Sequence, residues 1–135
     1  MEFNNSVHPT KEQMEGFLEG DTDTPIAMVN LLKFREKAIY PDKRDTNLTG
    51  EEAYAIYTQE VEQHLLNVGG RPIFGGNIER LMLGEVEDLW DSVAIAEYPN
   101  KNAMINMFIS PEYLESEKHR SAGLEGQLNI ITQDE

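Results

Sequence analysis

The chain has 135 residues with 25 acidic and 11 basic side chains, a formal net charge of −14, and no cysteine. This length fits one domain with its own hydrophobic core, and the lack of cysteine excludes disulfides and thiolate-ligated metal sites. The negative charge argues against binding to nucleic acid or to anionic membrane surfaces, because both carry the same sign of charge.

The first predicted element is a short helix in TKEQMEGFLEG, where Thr10 and Gln13 have the spacing of a capping box. The run IAMVNLLKF, residues 26–34, is short and almost continuously apolar, which is typical of a strand buried on both faces. We therefore divide the chain into an N-terminal helical extension, residues 1–23, and a main α+β domain, residues 24–135.

Residues 35–49 form a polar segment that is longer than an ordinary connection of about 4–6 residues. Such a segment is either disordered or functional, as a lid or a partner contact. A clear amphipathic helix follows, with Thr49 and Glu52 at capping-box spacing and Gly69 and Gly70 at its end.

The remainder of the chain alternates predicted strands and short helices. In order these are a strand over 71–84 with a bend at Gly75 and Gly76, a strand over 90–99, a helix capped by Asn100, a helix that starts at Ser110 and Pro111 and runs toward His119, and a strand over 127–133. This order predicts a ferredoxin-like βαββαβ fold, an antiparallel four-stranded sheet preceded by one extra helix. Helices on one side leave an apolar sheet face bare, so we expect a homodimer through that face.

Several motifs occur in a recognisable order: MVNLLKF, GEEAYAIY, GGRPIFGG, WDSVAIAEYPN and SPEYLESEKHRSAGLEGQ. Together they resemble the domain-of-unknown-function family 1330, a branch of the dimeric α+β barrel superfamily, over residues 24–133. The resemblance implies a ferredoxin-like subunit and a dimer with two facing sheets, and it implies no established reaction. The superfamily includes cofactor-independent monooxygenases, haem-dependent dismutases, isomerases and ligand-binding modules, so the fold alone transfers no chemistry.

Asn30 is a polar residue in the middle of an apolar strand, and period-two alternation places it on one face with Met28 and Leu32. One face of the third predicted strand carries large side chains at its ends and small side chains in its middle: Trp90, Ser92, Ala94, Ala96 and Tyr98. We expect these residues to leave a pocket lined by Asn30, Trp90 and Tyr98, while the larger Val93 and Ile95 lie under the helices. The alternative is that Asn30 only bonds to a neighbouring group of the fold.

Asp91 is a further ligand-binding candidate, with the alternatives that it caps a turn or pairs with Arg71 or Arg120. His119 and Arg120 are the catalytic candidates, because imidazole moves protons near neutral pH and guanidinium binds carboxylates or enolates. Alternatively, both are cations that stabilise the end of a helix. His64 looks solvated by its polar surroundings, and His8 lies in the N-terminal segment.

Taken together, these residues predict binding of a small organic acid or carbonyl compound, with a cofactor-independent acid/base reaction as its catalytic form. A non-catalytic homodimeric binding or assembly module is the alternative. We expect no metal, because Glu115 and His119 supply only two ligands on one helix face, and no cofactor. The segment MEFNNSVHPT lacks the features of a signal peptide, and no apolar run is long enough to span a membrane, so we expect a cytoplasmic protein.

Overall fold

Within residues 8–134, which the computed structural model describes, the chain forms four helices and four strands. In chain order these are α1 (Lys11–Leu18), β1 (Ile26–Phe34), α2 (Gly50–Asn67), β2 (Arg71–Asn77), β3 (Ser92–Tyr98), α3 (Lys101–Phe108), α4 (Pro111–Gly123) and β4 (Leu124–Thr132). The sheet order is β2-β3-β1-β4, and every neighbouring pair is antiparallel. This is the ferredoxin-like α+β arrangement that the sequence predicts, with α1 added in front.

Local side-chain signals set several helix ends. The Thr10 side chain accepts from the Gln13 backbone N–H at the start of α1, and Thr49 accepts from Glu52 at the start of α2. In each case the third residue returns a side-chain bond to the cap, so both predicted capping boxes are confirmed. After α2, Gly69 takes a positive φ of 81°, the conformation that ends many helices.

Two predicted strand boundaries are wrong by three residues or more. Strand β2 ends at Asn77 instead of 84, because its pairing with β3 stops there and the chain continues as a loop. Strand β4 begins at Leu124 instead of 127, because the Ser-Ala-Gly stretch before it belongs to the last turn of α4. The second correction matters for the site, since it moves Gln127 from the edge of β4 into its interior.

The main core lies between the sheet and the helices. Its buried members are Ile26, Met28, Tyr57, Leu65, Tyr98, Met104, Met107 and Tyr113. Phe17 of α1 packs against this core, and the buried Lys101 donates from Nζ to the carbonyl oxygen of Glu19 at 2.9 Å. These contacts attach α1 to the main domain, while the predicted division after residue 23 stays a prediction.

The polar segment 35–49 is ordered and packed on α4. Ala38 and Tyr40 are 3% and 4% exposed, and the Ile39 backbone N–H donates to the carbonyl oxygen of Ala122 at 3.0 Å. Disorder, the first of the two alternatives for this segment, is therefore excluded.

The sheet face opposite the helices carries a band of apolar side chains that we call the open face. Its members, placed by strand register, are half-buried or exposed: Val29, Leu31, Phe74, Val93, Ile95, Leu128 and Ile130. Phe74 on the edge strand β2 is 59% exposed and Ile130 on the other edge strand, β4, is 44% exposed, so large apolar side chains of this face are open to solvent. Apolar faces of this kind mark interaction surfaces in soluble proteins.

Among the described residues, no helix combines the length and the apolar character needed to cross a membrane. The predicted absence of a signal peptide concerns the first ten residues, and the first seven of these lie outside the part of the chain that the structure describes.

Candidate functional site

Asn30 lies on the helix-covered face of the sheet. It shares that face with Met28, and Met28 packs in the main core with side chains of α2, α3 and α4. Its Nδ2 donates to the carbonyl oxygen of Ala94 at 3.1 Å, and its Oδ1 accepts from Gln127 Nε2 at 2.8 Å and from Asn129 Nδ2. The amide is thus bonded on both sides within the fold.

The predicted assignment of the two sheet faces is wrong. Ala96 and Tyr98 pack against the helices, whereas Val93 and Ile95 lie opposite Leu31 and Val29 on the open face. The physical reason is that small side chains let the helices approach the sheet, while the larger β-branched side chains cover the face that no helix covers. Asn30 and Tyr98 do share a face, as predicted, but that face is the core side.

Arg120 extends from α4 into the same layer and connects it to β4. Its two terminal nitrogens donate to Gln127 Oε1 at 2.6 Å and to Glu117 Oε1 at 3.2 Å, and its side chain is only 12% exposed. Its Nε is buried and has no hydrogen-bond partner among the described residues. Because Gln127 also donates to Asn30, the guanidinium and the strand amide belong to one polar network.

Four tyrosines lie around this guanidinium within range of its charge: Tyr54, Tyr57, Tyr98 and Tyr113. The hydroxyl oxygens of Tyr57 and Tyr113 are 2.9 Å apart and share a hydrogen bond. Within residues 8–134 the hydroxyls of Tyr54 and Tyr98 form none. We call Arg120, these four tyrosines, Gln127 and Asn30 the Arg120 cluster.

Burial raises the pKa of all four tyrosine hydroxyls above the ordinary value of 10, although the nearby guanidinium lowers each of them in part. At neutral pH these hydroxyls are therefore protonated and available as donors. A buried cation with neutral donors beside it stabilises negative charge on a carboxylate or an enolate, in the way an oxyanion hole does. It does not supply a base.

His119 points away from the Arg120 cluster, although the two residues are adjacent in sequence. Its Nδ1 is 2.7 Å from the hydroxyl oxygen of Tyr40, and the two rings meet edge to face. Tyr40 belongs to the packed segment 35–49, so His119 connects α4 to that segment. The structure does not bring His119 and Arg120 together, and their predicted partnership in one catalytic site gains no geometric support.

Trp90 and Asp91 precede β3, whereas Asn30 lies opposite Ala94 within that strand. Trp90 is 3% exposed. Asp91 accepts from the Phe34 backbone N–H at 2.7 Å through Oδ2, which fixes the end of β1. Arg71, one of its predicted partners, pairs instead with Glu97 at 3.2 Å.

Asp91 also lines a shallow cleft of about 450 Å³ at this end of the sheet, together with Phe34, Arg35, Glu36, Glu51 and Asn77.

His64 is not solvated, contrary to the prediction. Its Nε2 is 2.8 Å from Ser116 Oγ, and Ser116 donates to Glu60 Oε1 at 2.7 Å. The serine lies between the histidine and the carboxylate, so this arrangement joins α2 to α4 and lacks the order of a nucleophilic triad. The i, i+4 spacing of Glu60 and His64 was the only sequence signal for it.

Among the described residues, no group of three or more histidine, aspartate or glutamate side chains is placed to hold a metal ion. Glu115, the predicted partner of His119 on α4, pairs with Lys118 at 3.1 Å instead.

Three solved structures show what this chain is similar to. A protein of unknown function from Rhodopseudomonas palustris is 36% identical, with a TM-score of 0.86 and coverage of 98% of both chains. A cofactor-independent oxygenase from Streptomyces nogalater is 11% identical, with a TM-score of 0.53 over 83% of this chain and 94% of that one. A hydroxynitrile lyase from Passiflora edulis is 11% identical, with a TM-score of 0.58 over 84% of this chain and 95% of that one.

The two distant structures share the fold alone, and no curated protein matches the chain. The model of the family described as "Domain of unknown function (DUF1330)" matches residues 44–133. With this match over most of its length and a 36% identical relative along 98% of it, the chain belongs to the DUF1330 family.

Proposed function

We propose that the protein binds a small organic acid or an enolisable carbonyl compound at the Arg120 cluster. The observation that carries this proposal is a nearly buried guanidinium whose Nε has no partner among the described residues, beside two tyrosine hydroxyls that form no hydrogen bond there. A buried donor without an acceptor costs about 1–3 kcal/mol, and a ligand carboxylate or enolate would supply the acceptor. The net charge of −14 repels anions from the surface as a whole, so binding of an acid would depend on the local positive charge of Arg120.

The catalytic form of the proposal is a cofactor-independent reaction through an enolate. Arg120 would stabilise the negative charge of an enolate that forms in solution, a tyrosine hydroxyl such as that of Tyr98 would donate its proton to the enolate carbon, and the resulting tyrosinate would regain a proton from water. Two proteins of the same fold are a cofactor-independent oxygenase and a hydroxynitrile lyase, which supports only the compatibility of this fold with such chemistry. His119 would contribute as a base only after leaving Tyr40.

Arg120→Met tests the site by removing the charge while keeping a side chain of similar length. We expect binding of pyruvate, acetoacetate or benzoate, measured by calorimetry, to weaken about 10- to 100-fold, because a hydrogen bond to a charged group is worth about 1.5–3 kcal/mol. Arg71→Met is the matched control, since Arg71 is exposed and pairs with Glu97 away from the cluster. It should leave the affinity unchanged.

Arg120→Met also removes a buried ion pair, so a second variant guards against simple unfolding. Tyr98→Phe removes one hydroxyl that forms no hydrogen bond among the described residues and should keep the fold while weakening binding. The proposal fails if none of the three acids binds the wild type, or if a folded variant lacking either group binds as tightly as the wild type.

A second candidate function, a non-catalytic homodimeric module, is favoured by one observation. The amide of Asn30 is bonded to backbone and to two side chains of β4, as expected of a residue that holds the fold together. In this case Arg120 and Asn30 would serve stability alone. A stable dimer that binds none of the three acids would select this candidate.

We further propose that the open face pairs with the open face of a second copy. Ile95→Lys should convert a dimer to a monomer in sedimentation analysis, because two buried ammonium groups would meet near the two-fold axis without partners. Ile109→Lys is the control, since Ile109 is 67% exposed and lies at the end of α3, away from the sheet. Equal sedimentation of Ile95→Lys and wild type would contradict the proposed interface.

A further inference from the structure

The cleft at the end of the sheet is separate from the Arg120 cluster and contains a second arginine. It lies beside the last residues of β1 and β2, the first residues of α2 and the residue that precedes β3. Its volume of about 450 Å³ is within the range of small-molecule sites. Its lining combines one guanidinium, from Arg35, with three carboxylates, from Glu36, Glu51 and Asp91.

Arg35 has no partner for its charge within residues 8–134. Its Nε is buried without a hydrogen bond, although Arg35 as a whole is only half-buried. Arg44, Arg71 and Arg120 each pair with a carboxylate. Arg80 also lacks an ion pair among the described residues, but it is exposed, whereas the Nε of Arg35 is buried. An acceptor brought by a ligand would complete its hydrogen bonding.

The carboxylates of the cleft decide which acceptor fits. Asp91 accepts from the Phe34 backbone N–H through Oδ2, and its other oxygen forms no hydrogen bond or ion pair within residues 8–134. A simple anion that approaches Arg35 would meet three negative charges and be repelled. A ligand with both a carboxylate and a positive group would complement the cleft. Its carboxylate would pair with Arg35, and its positive group would pair with Asp91 or Glu51.

We propose that this cleft binds a small zwitterion of the α-amino-acid type. The ligand carboxylate bonds to the guanidinium of Arg35, and its ammonium group lies toward Asp91 and Glu51. Phe34 supplies an apolar wall for a small side chain. The proposal concerns binding alone, and it is independent of the organic-acid site at Arg120.

The test uses L-alanine with two half-ligands, propionate and ethylamine, on ¹⁵N-labelled protein. We expect L-alanine to shift the backbone amide signals of Phe34, Arg35, Glu51 and Asn77, and each half-ligand to bind at least about tenfold more weakly because it satisfies only one sign of charge. Arg35→Gln should abolish the shifts. Arg71→Gln, which changes an exposed arginine outside the cleft, should leave them unchanged.

Three results would overturn the zwitterion site. These are the absence of shifts with L-alanine, propionate binding as tight as that of L-alanine, and shifts that persist in folded Arg35→Gln. Binding in the cleft is followed through the amide signals of Phe34, Arg35, Glu51 and Asn77 and should be lost in Arg35→Gln, whereas acid binding at the Arg120 cluster should be lost in Arg120→Met, so failure of one proposal is distinguishable from failure of the other.

Discussion

Gly50→Ala is expected to destabilise the protein by about 3 kcal/mol or more, the upper range for an overpacked position. A Cβ at this position would lie 2.2 Å from the Arg35 carbonyl oxygen, 2.6 Å from the Gly123 carbonyl oxygen and 2.7 Å from the Arg35 nitrogen. All three atoms are backbone, so no flexible side chain can move aside. The end of β1, the start of α2 and the end of α4 would have to separate.

That separation would also break hydrogen bonds. The Gly50 N–H donates to the Arg35 carbonyl oxygen at 3.1 Å, and the Arg35 N–H donates to the Gly123 carbonyl oxygen at 2.8 Å. Urea unfolding followed by circular dichroism measures the change. Gly16→Ala is the control, because Gly16 lies within α1 with nothing within 4 Å of its added Cβ. It should be neutral or stabilising by up to about 1 kcal/mol. Equal unfolding midpoints for both variants would show that the three segments are not in close contact.

The sequence predicts the helices well where the signal is local. The capping boxes at Thr10 and Thr49 depend only on residues three positions apart, and the Ser110–Pro111 start of α4 depends on adjacent residues. The order of helices and strands then leaves few topologies, and the predicted ferredoxin-like fold with an antiparallel four-stranded sheet is confirmed. Boundaries that depend on pairing with a distant strand, such as the end of β2, are not encoded locally.

Alternation along a strand shows which residues share a face, but it does not show which face lies inward. Asn30, Ala96 and Tyr98 share a face as predicted. Side-chain size suggests that this face points away from the helices, but it packs against them. The direction depends on how closely the helices pack and on whether the other face is covered, for which a single strand carries no signal.

The candidate site is only partly predictable for a similar reason. Arg120 is found in the sequence by its chemistry, and it does lie in a buried polar layer. His119 is its neighbour in the chain, but adjacent helical residues differ in direction by about 100° and face different surroundings. Gln127, which links Arg120 to Asn30, could be identified only from the register of β4 against β1.

The tyrosines of the Arg120 cluster are expected to make the protein strongly sensitive to alkali. Burial raises their folded-state pKa above the unfolded value of about 10, so below pH 10 both states hold the proton and the stabilisation is complete. As the pH rises above 10, the unfolded state loses its protons first and becomes favoured. Each hydroxyl lowers the free energy of unfolding by up to about 1.4 kcal/mol per pH unit, so the four together lower it by up to about 5.6.

Denaturant unfolding of the wild type and Tyr98→Phe at a series of pH values from 7 to 11 measures this dependence. Because the Tyr98 hydroxyl forms no hydrogen bond among the described residues, the variant should be nearly as stable as the wild type at pH 7. Above pH 10 the free energy of unfolding should fall less steeply for the variant than for the wild type. The two slopes should differ by about 1.4 kcal/mol per pH unit, so the variant should become the more stable protein. Lysine titration affects both proteins equally and cancels in the difference. Parallel curves at every pH would mean that Tyr98 ionises as readily in the folded state as in the unfolded one, and that the hydroxyls beside Arg120 are open to water.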